Sequence, residues 1–298
     1  MPANDYYGLP TRSLSSPYLH LEYLAEAGPR IVRLFLSGSS TNLLAETPSY
    51  GWDGPYGHLS LYGGHRLVHA PETALRSSVP DDRGLQAEQP GEGNCRLSWL
   101  EPHTLIHKAL EIRLHSDRPA LTLTHQLTNQ GLWPVELAPW AITQLPLGGW
   151  VILPQDVRPL DPDGKQPNRW LIYWPYTQLG DSRLHLRQDI LLFQANIVPG
   201  EYKIGYYNRA GWSGYLREGV FFCKRFAIHP PAILPDHGCN VEMYCNDEFL
   251  ELESLAPLRT LEPGQTAEHV EEWQLYDAHQ APHPLEDPQA FIAQVFGE

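Results

Sequence analysis

Three short stretches of the chain carry most of the residues able to do chemistry. The first is Tyr62–Glu72, YGGHRLVHAPE, with two histidines, an arginine and a glutamate. Gly63 and Gly64 remove side chains just ahead of His65 and Arg66, so another segment or a ligand can approach the backbone there. In an extended chain His65, Leu67 and His69 point one way, and Arg66 and Val68 the other. Ionisable groups clustered beside glycine suit a polar pocket holding an anionic or hydroxylated ligand, with Glu72 at its edge. The plainer alternative is a glycine turn leading into a strand whose charges face water.

The second stretch is Asn240–Pro257, NVEMYCNDEFLELESLAP. Glu251 and Glu253 are two residues apart and share one face of a strand, while Leu250 and Leu252 line the other. Two adjacent carboxylates repel, so one keeps a proton or a cation sits between them, which is useful for proton transfer. Tyr244 lies on the same segment. An outer strand with its acids in water is the alternative. The third is Phe221–Phe226, FFCKRF, where Lys224 is enclosed by aromatics. A lysine buried there must meet an acid or an anionic ligand, and a structural pair with a strand carboxylate would satisfy it equally well.

Aromatic residues are abundant, with nine tryptophans and fifteen tyrosines. Trp52, Tyr56, Trp140, Trp170, Trp174, Tyr176 and Trp212 fall mostly in expected loops. Flat apolar faces suit the C–H faces of sugar rings, although most such residues would be core and only two or three would touch a ligand. Metal binding has little support: HExxH, CxxC and EF-hand patterns are lacking, and the spacing of His65, His69 and Glu72 matches no recognised site. Without GxSxG, GxGxxG or a P-loop, no cofactor is expected.

These residues need rigid elements to hold them. Tyr18–Ala25 and Arg30–Ser37 alternate as a hairpin, and residues 1–17 are expected to be an irregular lead-in. Further strands are expected at Cys95–Leu100, Thr104–His115, Ala120–Thr128, Val135–Leu145, Gly149–Leu153, Leu184–Phe193, Tyr202–Tyr207, Gly219–Ile228, Asn240–Leu255 and His269–Tyr276. Pro139 suggests a bulge or an edge. Pro230–His237 reads as a loop. Only Pro288–Phe296 looks helical, with Asp287 as N-cap. The pattern predicts an all-β fold, a large antiparallel sandwich forming a single domain over residues 1–298.

The net charge of −14 argues against nucleic-acid or anionic-membrane partners, since phosphate would be repelled. Four cysteines without CxxC spacing, together with a polar and aromatic start at Met1–Gly8, predict reduced thiols and a cytoplasmic location. Exposed sheet edges allow a monomer or a homodimer.

The chain resembles the galactose mutarotase-like superfamily, which includes the aldose 1-epimerases, and within it a branch with GGHRLxxAPE and FxKRF signatures. Residues 104–145 look like the superfamily's central run, with its TN-x-G turn. GGHRL is similar to the segment carrying a sugar-binding arginine, which places Arg66. FLELESLAPLRTLEPGQTAEHVEEW resembles the late strand with the catalytic glutamate, which places Glu253, with Glu251 as the near alternative. The resemblance implies a β-supersandwich and a small-molecule carbohydrate ligand. It also implies ring opening at the anomeric carbon, with a glutamate taking the hydroxyl proton and a histidine protonating the ring oxygen. Here Trp140 stands where that histidine is sought, leaving His65, His69 or His125 as substitutes. The family's second sugar-holding histidine and its aspartate have no counterpart.

The expected function is therefore epimerase-like acid/base chemistry, with Glu253 as base, His65 or Lys224 as proton donor, and substrate held by Arg66 and His69. Glu72, Trp140, Tyr244 and Glu251 are further candidates. Arg66 with Lys224 would favour an acidic or phosphorylated sugar. The alternatives are a non-catalytic carbohydrate-binding protein and a lyase or hydrolase on the same scaffold.

Overall fold

A computed structural model describes residues 4–229 and 232–297. The start of the lead-in, Pro230 and Pro231 of the expected loop, and Glu298 lie outside the described residues. Strands dominate, as the alternation requires, and they pair antiparallel into an 11-stranded and a 10-stranded sheet, with a separate two-stranded hairpin. This is the expected all-β sandwich.

The first sheet runs, in spatial order, Asn4–Tyr6, Leu9–Ser15, Leu19–Leu24, Arg30–Leu36, His65–Ala70, Val135–Pro146, Phe249–Leu255, Val241–Cys245, Tyr202–Tyr206 and Ile172–Tyr173, with Arg259–Leu261 beside the start of Val135–Pro146. The second runs Leu184–Leu186, Ile190–Ala195, Gly149–Pro154, Trp212–Arg217, Val220–Phe226, Thr266–Asp277, Ala120–Asn129, Ile106–Leu114, Asn94–Leu100 and Gln86–Gly91. Their inner faces share one core, in which Leu21, Leu34, Met243, Leu250 and Leu252 meet Leu110, Ile112, Leu121, Leu123, Phe222 and Trp273.

The structure corrects several sequence expectations. The lead-in forms strands, with Pro10 paired near the sheet edge, where a missing N–H is tolerated. The expected strand at 184–193 is two strands. Pro139 lies on a central strand, neither bulged nor at an edge. It falls where that strand exchanges its neighbour Arg259–Leu261 for Phe249–Leu255. Trp212 belongs to a strand and is core: its ring packs edge-on against Phe221 and Phe296. The helix Pro288–Phe296 starts where Asp287 Oδ1 accepts a hydrogen bond from the Ala290 amide at 2.9 Å. It covers the outer face of the second sheet through Phe291 and Val295.

Gly63 and Gly64 both have positive φ. A Cβ would lie 2.2 Å from the Ala45 carbonyl oxygen at Gly63, and 1.9 Å from that of Ile31 at Gly64. The close neighbour that the glycines admit is thus the chain itself. This packing fixes the start of His65–Ala70, and with it which face Arg66 takes.

Candidate active site on the outer face of the first sheet

Three adjacent central strands present alternate residues to the outer face of the first sheet. His65–Ala70 contributes Arg66, Val135–Pro146 contributes Trp140 and Gln144, and Phe249–Leu255 contributes Glu251 and Glu253. Register then fixes the neighbours: Ile142 pairs with both Arg66 and Glu253, and Gln144 pairs with Glu251. The next two strands, Val241–Cys245 and Tyr202–Tyr206, add Tyr244, Glu242 and Lys203. The hairpin Glu46–Gly54 and Gly57–Gly63 supplies Tyr50, Trp52 and Leu61, and Glu72, Tyr176 and Glu201 close the rim. The resulting cleft has a cavity volume of about 250 Å³. That is below the usual range for drug-sized ligands and suits a single-ring molecule.

An ion cluster is built around Lys203, which lines the cleft beside Trp140. Lys203 Nζ is 2.8 Å from Glu242 Oε2 and 3.1 Å from Glu253 Oε2. Its ammonium also lies 4.8 Å from the Trp140 ring centre and 4.7 Å from that of Trp174. This cation–π contact on two sides, added to two carboxyls, keeps the lysine charged although it is buried. Burial opposes its charge, but Glu242 and Glu253 more than compensate and raise its pKa. Trp140 Nε1 donates to Glu253 Oε2 at 2.6 Å. Burial, helped by the Glu253 charge, pushes the Glu242 carboxyl well up.

Glu251 is the carboxyl that reaches the cleft. Gln144 Nε2 donates to its Oε1 at 2.9 Å, and Arg66 Nη2 lies 3.8 Å from the same oxygen. Burial first, and then the neighbouring Glu253, raises its pKa to about 7, against the pull of Arg66 and Lys203. Arg66 Nε and Glu253 Oε1 are buried without hydrogen-bond partners among the described residues. Such groups are costly to leave unpaired; Arg66 lines the cleft, so its Nε suits a polar ligand there, whereas Glu253 lies behind the wall.

The other face of the same strands holds a second polar cluster. Its hydrogens can be ordered from the partners alone, since a carbonyl can only accept. His125 Nδ1 donates to the His269 carbonyl at 3.0 Å, so its Nε2 accepts from His65 Nε2 at 2.8 Å. His65 Nδ1 then accepts from Thr143 Oγ1 at 2.9 Å, which accepts from Lys224 Nζ at 3.0 Å. Lys224 also donates to the Leu252 carbonyl and ion-pairs with Glu271, both at 2.9 Å. Ser254 and Trp273 complete the Glu271 carboxylate. Burial lowers the pKa of His65 and His125, and that of His269 to about 3. Burial would raise Glu271, but Lys224 together with the neighbouring imidazoles of His125, His65 and His269 outweighs it and keeps the carboxyl ionised. One nitrogen each of His65 and His125 and a Glu271 oxygen lie within 4.8 Å of one another, the spacing of a metal site. Those atoms are already taken by protein partners, and the Lys224 ammonium sits against the carboxylate, so the donor set does not fit a resident cation.

The structure thus divides the candidates. Arg66, Glu72, Trp140, Tyr244 and Glu251 line the cleft, with Glu253 directly behind Trp140. His65 and Lys224 are separated from it by the sheet, because odd-numbered positions of His65–Ala70 face inward and Lys224 belongs to the opposite sheet. His69 also faces inward, where its Nε2 meets Glu101 Oε2 at 2.8 Å and Lys108 completes the pair. Lys224 does pair structurally, but with Glu271 rather than with Glu251 or Glu253. Lys203 and Glu242 were not singled out in the sequence. The available signal was a lone ionisable residue inside each apolar strand, YKIGY and VEMYC, which must find a partner if buried. Of the expected aromatic platforms, Trp52, Trp140 and Tyr176 line the cleft, whereas Tyr56 stacks on His103 and Trp170 on Tyr207.

This sandwich is the fold of the galactose mutarotase-like proteins. A galactose mutarotase-like protein from Lactobacillus casei superposes with a TM-score of 0.59 at 9% identity, covering 89% of this chain and 100% of the other. A protein of Escherichia coli K12 provisionally described as an aldose 1-epimerase gives 0.56 at 16% identity, covering 90% and 99%. A galactose mutarotase related enzyme from Lactobacillus acidophilus gives 0.55 at 8% identity, covering 91% and 98%. At these identities the likeness is one of fold. No protein-family model and no curated protein matches the sequence. No helix among the described residues is long and apolar enough to cross a membrane.

Proposed function

We propose that the protein binds a single-ring sugar or sugar derivative in the outer-face cleft and performs acid/base chemistry at its anomeric centre, as an epimerase-like isomerase. The observation that carries this reading is the convergence, on one sheet face, of the paired carboxyls Glu251 and Glu253, the unsatisfied Arg66 Nε and the aromatic walls Tyr50, Trp52 and Tyr176. Charge favours a neutral sugar over the acidic one first expected. Lys224 lies outside the cleft, the Lys203 ammonium is directed at the Glu242 and Glu253 carboxyls, and Arg66 faces Glu251. Glu72 and Glu201 at the rim add only negative charge. Four buried, unpaired cysteines fit a reducing, cytoplasmic setting.

A non-catalytic carbohydrate-binding role is the second reading. Trp140, standing where the family resemblance leads one to seek a histidine, favours it. A hydrolase gains no support, because both glutamates project from one strand rather than from opposite sides of a bond.

A thermal-shift panel of neutral sugars, uronic acids and sugar phosphates tests the reading. A neutral sugar is expected to raise Tm, with stabilisation of about 2.7 kcal/mol at a hundred times its Kd. Arg66→Ala should abolish the shift. Anomer exchange by the wild type above the uncatalysed rate then separates enzyme from binder. A panel with no neutral-sugar hit would sink the proposal.

A further inference from the structure

Resting on that reading, we propose that Glu251 alone replaces the usual base-and-acid pair. One carboxyl both gives the proton to the ring oxygen and takes the proton from the anomeric hydroxyl, while Glu253 only positions the wall behind it.

The geometry separates the two glutamates. Glu253 is fully buried, and its Oε2 is held by Trp140 Nε1 at 2.6 Å and Lys203 Nζ at 3.1 Å. A carboxyl whose oxygen is clamped by an ammonium and an indole, behind the indole, does not meet the ligand. Glu251 lines the cleft, and its two oxygens differ. Oε1 accepts from Gln144 Nε2, whereas no donor among the described residues reaches Oε2. A proton on this group therefore sits on Oε2, leaving Oε1 as the acceptor.

The surrounding charge keeps such a proton in place. Glu253 on the same strand opposes ionisation of Glu251, and Arg66 and Lys203 on flanking strands favour it. The phenols of Tyr50 and Tyr244, on the hairpin and on the next strand, also face it. Three buried carboxyls, Glu242, Glu251 and Glu253, stand against two cations, Arg66 and Lys203. Burial favours the neutral form of Glu242, and at the cleft burial together with Glu253 opposes ionisation of Glu251.

The reaction balances without a second group. Glu251 Oε2–H protonates the ring oxygen as the bond from that oxygen to the anomeric carbon breaks. The anomeric hydroxyl passes its proton to Oε1 and becomes the carbonyl of the open-chain aldehyde. The two oxygens of a carboxyl are spaced much like the two oxygens on one anomeric carbon, so both transfers can occur together. After rotation about the adjoining carbon–carbon bond, the hydroxyl closes on the opposite carbonyl face. Its proton returns to Oε2, and Oε1 returns the other to the new anomeric hydroxyl. Neither a histidine nor net proton uptake is required, which accounts for Trp140 in that place.

The test is anomer exchange on the sugar identified by thermal shift, with binding measured in parallel. Glu251→Gln should bind the sugar with KM unchanged and lose about 100-fold or more in kcat, the ordinary contribution of a positioned acid–base group. Wild-type kcat should fall along a single limb as pH rises through about 7. The infrared spectrum of the wild type minus that of Glu251→Gln should show a protonated carboxyl band below about pH 6 that fades above about pH 8. Full activity in Glu251→Gln, or a bell-shaped profile demanding two groups, would overturn the assignment while leaving sugar chemistry intact. Sugar binding without exchange by the wild type overturns both the assignment and the enzymatic reading. No binding at all removes the sugar site itself.

Discussion

Two ion clusters lie back to back on the same three strands, and they are finished to different degrees. On the inner face, His65, Thr143, His125, Lys224 and Glu271 form an ordered chain in which each named donor has an acceptor. On the outer face, Arg66 Nε and Glu253 Oε1 are left over, and Glu251 borders open space. The inner cluster is enclosed, although His269 Nδ1 lacks a partner among the described residues, whereas the outer one borders open space and so has room for a ligand. The richer set of histidines is therefore the structural set, and the cleft works with carboxyls. This contrast can be broken most directly in the core. Lys224→Met leaves Glu271 buried without its cation and should cost about 3–5 kcal/mol in urea denaturation. Adding Glu271→Leu should recover much of that loss. If sugar affinity of the folded single variant also collapsed, the two clusters would not be independent.

A smaller effect is expected across the sheet. Trp140→Phe keeps most of the packing but removes the Nε1 donor from Glu253. Removing the donor from a buried acceptor costs roughly 1–3 kcal/mol, so a drop of that size is expected in the same denaturation assay. An unchanged midpoint would mean that the indole hydrogen bond to Glu253 contributes nothing to the fold.

Most of the sandwich was legible because antiparallel strands alternate and turns carry Gly, Pro, Asn and Asp. The hairpins and the final helix have those local signals. The same alternation grouped Arg66 apart from His65 and His69, and placed Glu251 with Glu253. It did not say which group faced the interior. The rule that charge faces water gives no answer when both faces are ionisable, and here it misplaced His65 and Lys224 in the site. Lys203 and Glu242 became functional neighbours only through strand order, since Tyr202–Tyr206 and Val241–Cys245 are far from His65–Ala70 in sequence. The strand Leu9–Ser15 was hidden by serine and proline, whose propensities argue for loops until a neighbouring strand pairs them.

The clusters should also respond to pH with opposite signs. His65, His125 and His269 are held neutral in the fold, with pKa values below the ordinary 6.5. The unfolded chain then binds more protons between the folded and unfolded values. Their contribution is fully present above pH 6.5 and is lost as pH falls below it, at up to about 1.4 kcal/mol per pH unit for each imidazole. Stability measured from pH 7 to 5 should fall steeply. A flat profile would show that the inner histidines bind protons in the fold as they do in the unfolded chain.

Glu251 runs the other way, and its variant gives the smallest and sharpest comparison. Its folded pKa, about 7, exceeds the ordinary 4.5, so the fold binds the extra proton between those values. The stabilisation it brings is present below pH 4.5 and lost as pH rises through 7, where an ionised Glu251 faces Glu253 across one strand position. Glu251→Gln removes that repulsion while keeping the acceptor for Gln144. The variant should therefore be more stable than wild type above pH 7, on the order of 1 kcal/mol, with the gain shrinking to nothing near pH 5. Comparable substitution of Glu271, whose carboxyl is paired at every oxygen, should lose stability at both pH values. A position that gains stability on losing its charge, beside one that only loses, marks which face of the sheet is kept under electrostatic strain for a ligand.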